Sequence, residues 1–235
     1  MQLFAVRFGE SSLKSKYIYQ DLQPDCEDSL RISWSFYVAK LGTDVIFFDV
    51  GFRDQALAKQ WGITLFDINE ELAALIGEAQ HSLVVITHSD FDHIDNLDLF
   101  PNSVPVIISE KEYERAMNDA SPSVKERLLS NNVSTIKDEA VFYNRFTYKV
   151  IGGHTIGSSV IYFQHQGKKY VITGDECYTC NNLTDQRPIG VFYNTHHNAA
   201  FLAQGLKQGL EPLPFHDIEL FNRYPNISEH IVQII

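Results

Sequence analysis

The sequence predicts a mixed α/β fold, and three observations carry that prediction. Strand-like and helix-like segments interleave along the chain, the pattern of layered α/β architectures. Of the 235 residues, 44% are apolar and 21% charged, the balance of a globular protein able to bury a sizeable core. No fixed-period repeat, low-complexity stretch or long linker interrupts the chain, so a single domain over 1–235 is expected.

Residues 2–7 read as an opening strand. Residues 33–39 and 44–50 read as a strand pair, with a turn at Leu41-Gly42-Thr43 and a stop at Gly51. A helix is expected over about 69–80. Leu72, Leu75, Ile76 and Ala79 fall at i, i+3, i+4 and i+7, and Asp67 with Glu70 has capping-box spacing. Residues 83–87 are a continuous apolar run ending in Thr87, as in a strand covered on both faces. In the second half, 105–108 reads as a strand. Ser109 with Glu112 has capping-box spacing for a helix to about Asn118, and 122–130 reads as a short helix. Residues 159–164 and 168–173 read as a hairpin around Gln166-Gly167. A helix at 197–209 and a short strand end at 213–216 complete the series.

The formal net charge is -11. An acidic surface repels phosphate backbones, which counts against nucleic-acid binding and turns attention to a small-molecule substrate. Cys26, Cys177 and Cys180 are too few, and odd in number, for a disulfide framework, and fit a reducing cytoplasm. Cys177 and Cys180 have C-x-x-C spacing without a second pair, so buried small side chains are the expectation. The start has no basic stretch followed by an apolar run, and no apolar run reaches the roughly 18 residues of a membrane helix. Neither a leader nor a membrane span is expected.

The chemistry concentrates in one segment. His88, Asp90, Asp92 and His93 place four potential metal ligands within six residues, directly after the apolar run 83–87. A rigid strand followed by a loop can turn several side chains toward one point. His88 and Asp90 share a face if the backbone stays extended, and Asp92 and His93 point elsewhere if it turns. That spacing suggests two neighbouring sites. His154 in a glycine-rich turn, Asp175 after strand 168–173 and His216 after Pro214-Phe215 also sit at strand-to-loop junctions. Imidazoles with carboxylates suit zinc, iron or manganese.

The segment His88-Ser89-Asp90-Phe91-Asp92-His93, followed in order by His154, Asp175 and His216, resembles the metallo-β-lactamase superfamily pattern H-x-H-x-D-H, then H, D and H. Asp49-Val50-Gly51 is similar to that family's Asp-Thr-Gly turn. The resemblance spans most of the chain and implies an αββα sandwich of two mixed sheets flanked by helices. It implies two divalent metal ions, zinc first, with iron or manganese as alternatives. His88, Asp90 and His154 would hold one metal, Asp92, His93 and His216 the other, and Asp175 would bridge both. Asp175-Glu176-Cys177-Tyr178 and Pro214-Phe215-His216-Asp217 are similar to segments of the N-acyl homoserine lactonases, where a tyrosine lies beside the substrate carbonyl. The implied activity is hydrolysis of a small lactone, ester or thioester by a metal-bridging hydroxide. Asp92 would pass a proton to the leaving oxygen, Tyr178 would donate to the oxyanion, and Asp49 would orient a ligand or the motif loop.

Three departures stand out. Asp90 replaces the pattern's second histidine, so three carboxylates face the metals instead of two. A less positive site acidifies water less, and the harder ligand tilts preference toward iron or manganese. Asp95-Asn96 replaces the glycine pair that often follows the motif, and Ser158 replaces a second histidine after His154. Asp90 also matches the carboxylate of the flavodiiron pattern H-x-E-x-D-H, which makes a diiron oxidoreductase the alternative. A non-catalytic, metal-binding regulatory protein is a third reading. His196-His197 reads as a surface pair, and His81, His165 and His230 lack ligand-like context.

Overall fold

The computed structural model describes residues 1–77 and 79–235. Among them, thirteen strands form two mixed sheets. The strands of the larger sheet are β1 (Gln2–Lys14), β2 (Ser29–Leu41), β3 (Asp44–Phe48), β4 (Thr64–Leu65), β5 (His81–Val85), β6 (Val106–Ser109), β7 (Val133–Ile136) and, last in the chain, β13 (Ile231–Gln233). Those of the smaller sheet are β8 (Glu139–Phe142), β9 (Phe146–Val150), β10 (Ser159–His165), β11 (Lys168–Ile172) and β12 (Glu211–Leu213). The larger sheet runs β13-β1-β2-β3-β5-β6-β7, with β4 paired to β1; the smaller runs β12-β11-β10-β9-β8. Aromatic side chains join the two sheets: Phe48 of β3 meets Phe146 of β9 at 5.3 Å between ring centroids. Each fully buried side chain of this size contributes about 1.5–3 kcal/mol.

The apolar run after Ser82 forms β5, whose ladder to β3 and β6 is parallel on both sides. It ends at Val85, two residues before the expected Thr87, although the Ile86 N–H still donates to the Ile107 carbonyl of β6. The helix expected over 69–80 spans Asn69–Ile76 and stops at Gly77 with φ 55°; residue 78 lies outside the described residues. Asp67 accepts from the Asn69 backbone rather than forming a box with Glu70. Ser109 does accept from the Glu112 N–H, but the Glu112 carboxylate turns away to other partners. The hairpin turn uses Gln166 and Gly167 at φ 47° and 81°, the left-handed pair that matches strand twist.

β1 and β2 run well beyond the expected 2–7 and 33–39. Their outer halves, with Ser11, Ser12 and Ser29 and the charged Glu10, Lys14 and Arg31 among them, are held by pairing with each other. Gly9 is needed there, since a Cβ would lie 2.9 Å from the Thr64 carbonyl. The helix after Asn194 begins at Thr195, two residues early, because the Asn194 side chain caps it. β7, β8 and β9 were not expected; much of β7 and β8 is exposed at sheet edges. Cys177 and Cys180 are buried free thiols.

The useful consequence is at the strand ends. β3, β5, β9, β11 and β12 all deliver their C-terminal loops to one edge, carrying Asp49, His88, His154, Asp175 and His216. Ser33, Ser35 and Tyr37 on β2 fasten the last of these loops, donating to the carbonyls of Phe215 and Pro214.

Candidate metal centre

After His88 the chain stays extended through Asp90 and then turns into a single helical turn, Phe91–Ile94. His88 and Asp90 therefore face one way, and Asp92 and His93 another. Three groups of ligand atoms converge, each within 4.8 Å: His88, Asp90 and His154; Asp92, His93 and His216; and His88, His93 and Asp175. All seven expected residues are brought together, and Asp175 lies between the two outer groups. Its Oδ1 is 3.2 Å from His93 Nε2 and 3.3 Å from His216 Nε2, and its Oδ2 is 3.7 Å from His154 Nε2.

The surroundings fix which nitrogen of each imidazole points inward. His154 Nδ1 donates to the Val191 carbonyl and His216 Nδ1 to the Ser33 carbonyl, both at 3.0 Å. His93 Nδ1 donates to Asp49 Oδ2 at 2.7 Å. Thr87 gives its single hydroxyl proton to Asp49 Oδ2 at 2.6 Å, so it accepts from His88 Nδ1 at 3.0 Å. All four rings thus aim Nε2 at the cluster, the arrangement that outer hydrogen bonds impose on metal ligands. His88 Nε2, His93 Nε2 and Asp175 Oδ1 are buried without a hydrogen-bond partner. Lone pairs and carboxylate oxygens facing one another fit a cation between them.

Protons compete with metal ions for these lone pairs. Burial disfavours an imidazolium at His93, but Asp92, Asp175 and Asp49 lift it well above its ordinary value. At His154 burial is likewise overcome, by the hydrogen bond to Asp90 and the charge of Asp175, and its pKa rises to about 9. Burial opposes ionisation of Asp175, yet His216 and His93 hold it well below the usual carboxylate range. Metal binding to such a cluster displaces protons.

Asp49 has φ 60°, a left-handed conformation that non-glycine residues adopt mainly where the surroundings enforce it. Here it accepts from the Thr87 N–H and hydroxyl and from His93, and the Val50 N–H donates to the His93 carbonyl. Two further buried carboxylates brace the site, Glu112, which the sequence marks only as a helix-capping residue, and Glu176, to which it gives no role. Glu112 accepts from Ser89 N and Oγ and from Thr155 Oγ1 and Gly157 N, tying the His88 loop to the His154 loop. Glu176 accepts from the backbone N–H groups of Gly153 and His154, from Ser158 Oγ and from Asn198. A Cβ on Gly153 would lie 2.2 Å from Glu176, which explains the glycine before His154. Ser158, in place of a second histidine, therefore braces a carboxylate. The available signal was an acid directly following the expected ligand Asp175.

The cluster floors a cavity of about 400 Å³ whose walls include Leu13, Ile32, Trp34, Trp61, Phe91 and Val191. Tyr178 closes one side, its ring 5.4 Å from that of His216 and 5.9 Å from that of His154. Burial first, then the carboxylates of Asp175, Asp90 and Asp92, raise its pKa well above 10.0, so the phenol keeps its proton. Two larger cavities, about 590 and 790 Å³, lie elsewhere, and none of the seven residues lines them. His196 and His197 are exposed in the first turn of the helix Thr195–Gln208.

A family model described as the metallo-beta-lactamase superfamily matches residues 29–213. The chain belongs to that superfamily. No curated protein sequence matches it. Among solved structures of this fold it is similar to a quorum-quenching N-acyl homoserine lactone lactonase, at 17% identity and TM-score 0.78 over 96% of both chains. An N-acyl homoserine lactone hydrolase, with N-hexanoyl-L-homoserine bound at its catalytic metal centre, is 17% identical, with TM-score 0.77 over 97% of this chain and 98% of that one. A dizinc quorum-quenching lactonase in complex with a product is 14% identical, with TM-score 0.69 over 99% of this chain and 93% of that one. At these identities the likeness establishes the superfamily's αββα sandwich. No helix among the described residues is long and apolar enough to cross a membrane.

Proposed function

We propose that this chain is a metal-dependent hydrolase that opens a small lactone, ester or thioester carrying an apolar tail. The observation that carries the reading is the convergence of four Nε2 lone pairs and three carboxylates at the floor of an apolar cavity. His88, Asp90 and His154 would hold one divalent cation and Asp92, His93 and His216 a second, with Asp175 shared. Cations there would supply Lewis acidity, making a water nucleophilic near neutral pH and polarising a carbonyl oxygen.

The chain's own residues do the rest. Trp34, Trp61, Phe91 and Val191 bind the tail and exclude water around the carbonyl. Tyr178, kept protonated, donates a hydrogen bond to the developing oxyanion. The Asp92 carboxylate, whose Oδ2 faces His93 Nε2 at 3.1 Å and His216 Nε2 at 3.5 Å, takes the nucleophile's proton on its other oxygen and returns it to the leaving oxygen. The similar lactonases make N-acyl homoserine lactones the first substrates to offer. Turnover of such lactones should disappear with a chelator and return with zinc. Zinc-loaded protein inert toward lactones, aryl esters and thioesters alike contradicts the proposal.

The carboxylate of Asp90 favours a second reading, a diiron oxidoreductase. Purified protein that holds iron and consumes dioxygen rapidly with a reductant would select it over the hydrolase.

A further inference from the structure

Arg115 lies on the helix Glu110–Asp119, three residues after Glu112. Its Nη2 donates to Asp90 Oδ1 at 2.5 Å, while Nη1 reaches Ser89 Oγ at 3.1 Å and Glu112 Oε2 at 3.4 Å. The other oxygen of Asp90, Oδ2, faces His154 Nε2 at 3.1 Å and His88 Nε2 at 3.6 Å. The two oxygens of one carboxylate are thus divided between the guanidinium and the ligand cluster.

That division answers the difficulty an aspartate creates at this position. An imidazole offers one neutral lone pair. A carboxylate offers two equivalent oxygens, can rotate or chelate with both, and adds a negative charge to a site that already holds Asp92 and Asp175. Arg115 occupies one oxygen and returns one positive charge beside the cluster. A planar fork with directed donors does this better than a point charge. The fully buried Glu112 fixes the guanidinium in turn.

We propose that Arg115 is the positioning residue that lets an aspartate serve at position 90, holding Oδ1 so that Oδ2 alone faces the metal and restoring the charge that the carboxylate removes. The proposal rests on the metal-centre reading above.

The test counts zinc per chain by elemental analysis and measures zinc affinity by competition with a chromophoric chelator. Melting of each metal-free variant confirms folding. Wild-type protein should take two equivalents. Arg115→Gln should weaken one of them about 10–100-fold and spare the other, and Arg115→Lys should fall between. Asp90→His should also weaken one equivalent, because a guanidinium then faces an imidazole. The double variant Asp90→His with Arg115→Gln should regain it. A purely structural ion pair would shift melting and leave zinc affinity alone. Equal affinity in wild type and Arg115→Gln, or a double variant no better than Asp90→His, overturns the proposal. A wild type that takes no zinc overturns the metal-centre reading and this proposal with it, a result visible before any Arg115 variant is made.

Discussion

The two sides of the cluster are built differently. His93, Asp92 and His216 are almost wholly buried, and Asp49, strained and fully enclosed, grips His93 together with the Thr87 backbone. On the other side the Asp90 side chain is 29% exposed, and its partner Arg115 30%. Both sides hold two buried imidazoles by hydrogen bonds at Nδ1; the difference lies in the third residue, since Asp92 is buried whereas Asp90 is held by a partly exposed ion pair. Buried, hydrogen-bonded groups keep their geometry at low entropic cost, whereas a partly exposed pair is screened and can move. The two sides are therefore unequal: Asp92 is preorganised by burial, and Asp90 is tunable through Arg115.

Asp175→Ala removes the residue that lies between the two sides and is proposed as their shared ligand, so it should abolish the comparison along with all turnover. Metal content measured on the same sample should fall at both sites; retention of two metals would break the bridging assignment. Tyr178→Phe removes only the hydroxyl and leaves the ring beside His216 and His154. It should cost about 10²–10³ in kcat with metal content unchanged, and a wild-type kcat would leave Tyr178 as packing.

Asp49→Asn sharpens the contrast. It keeps the shape but removes the charge that holds His93 directly and His88 through Thr87, and should weaken the metal on the His93 side about 10–100-fold and the other less. Equal weakening of both would show that the two sides are one unit.

The smallest effect concerns Asp95. Burial, then Asp92, Asp98 and Asp54, raise its pKa from 3.8 to about 6. A carboxylate raised on folding favours the folded state while protonated, below its unfolded value, and loses that contribution as pH climbs through about 6. In chelator, Asp95→Asn should therefore raise Tm at pH 7 by about 2–4 °C and change little at pH 4. A thermal melt at the two pH values decides it, and no gain at pH 7 would show the strain is relieved in some other way.

Much of this was legible in sequence because the carriers are local. The apolar run before His88, the Gln166-Gly167 turn and the ligand spacing are each set within a few residues. The edge strands β7 and β8 were not legible, since half-exposed strands show no clean alternation. Glu112 looked like a capping residue, and nothing in the sequence around Arg115 marks it. Their partners, Ser89, Asp90, Thr155 and Gly157, come from other loops, and only folding brings a buried charge to its donors.

The most direct measurement is metal per chain on protein purified without chelators or a histidine tag, by elemental analysis. Two equivalents of zinc, iron or manganese are expected, with the Asp90 side releasing its ion first on stepwise chelation. Protein that carries no metal, and binds none when it is supplied, would contradict the account.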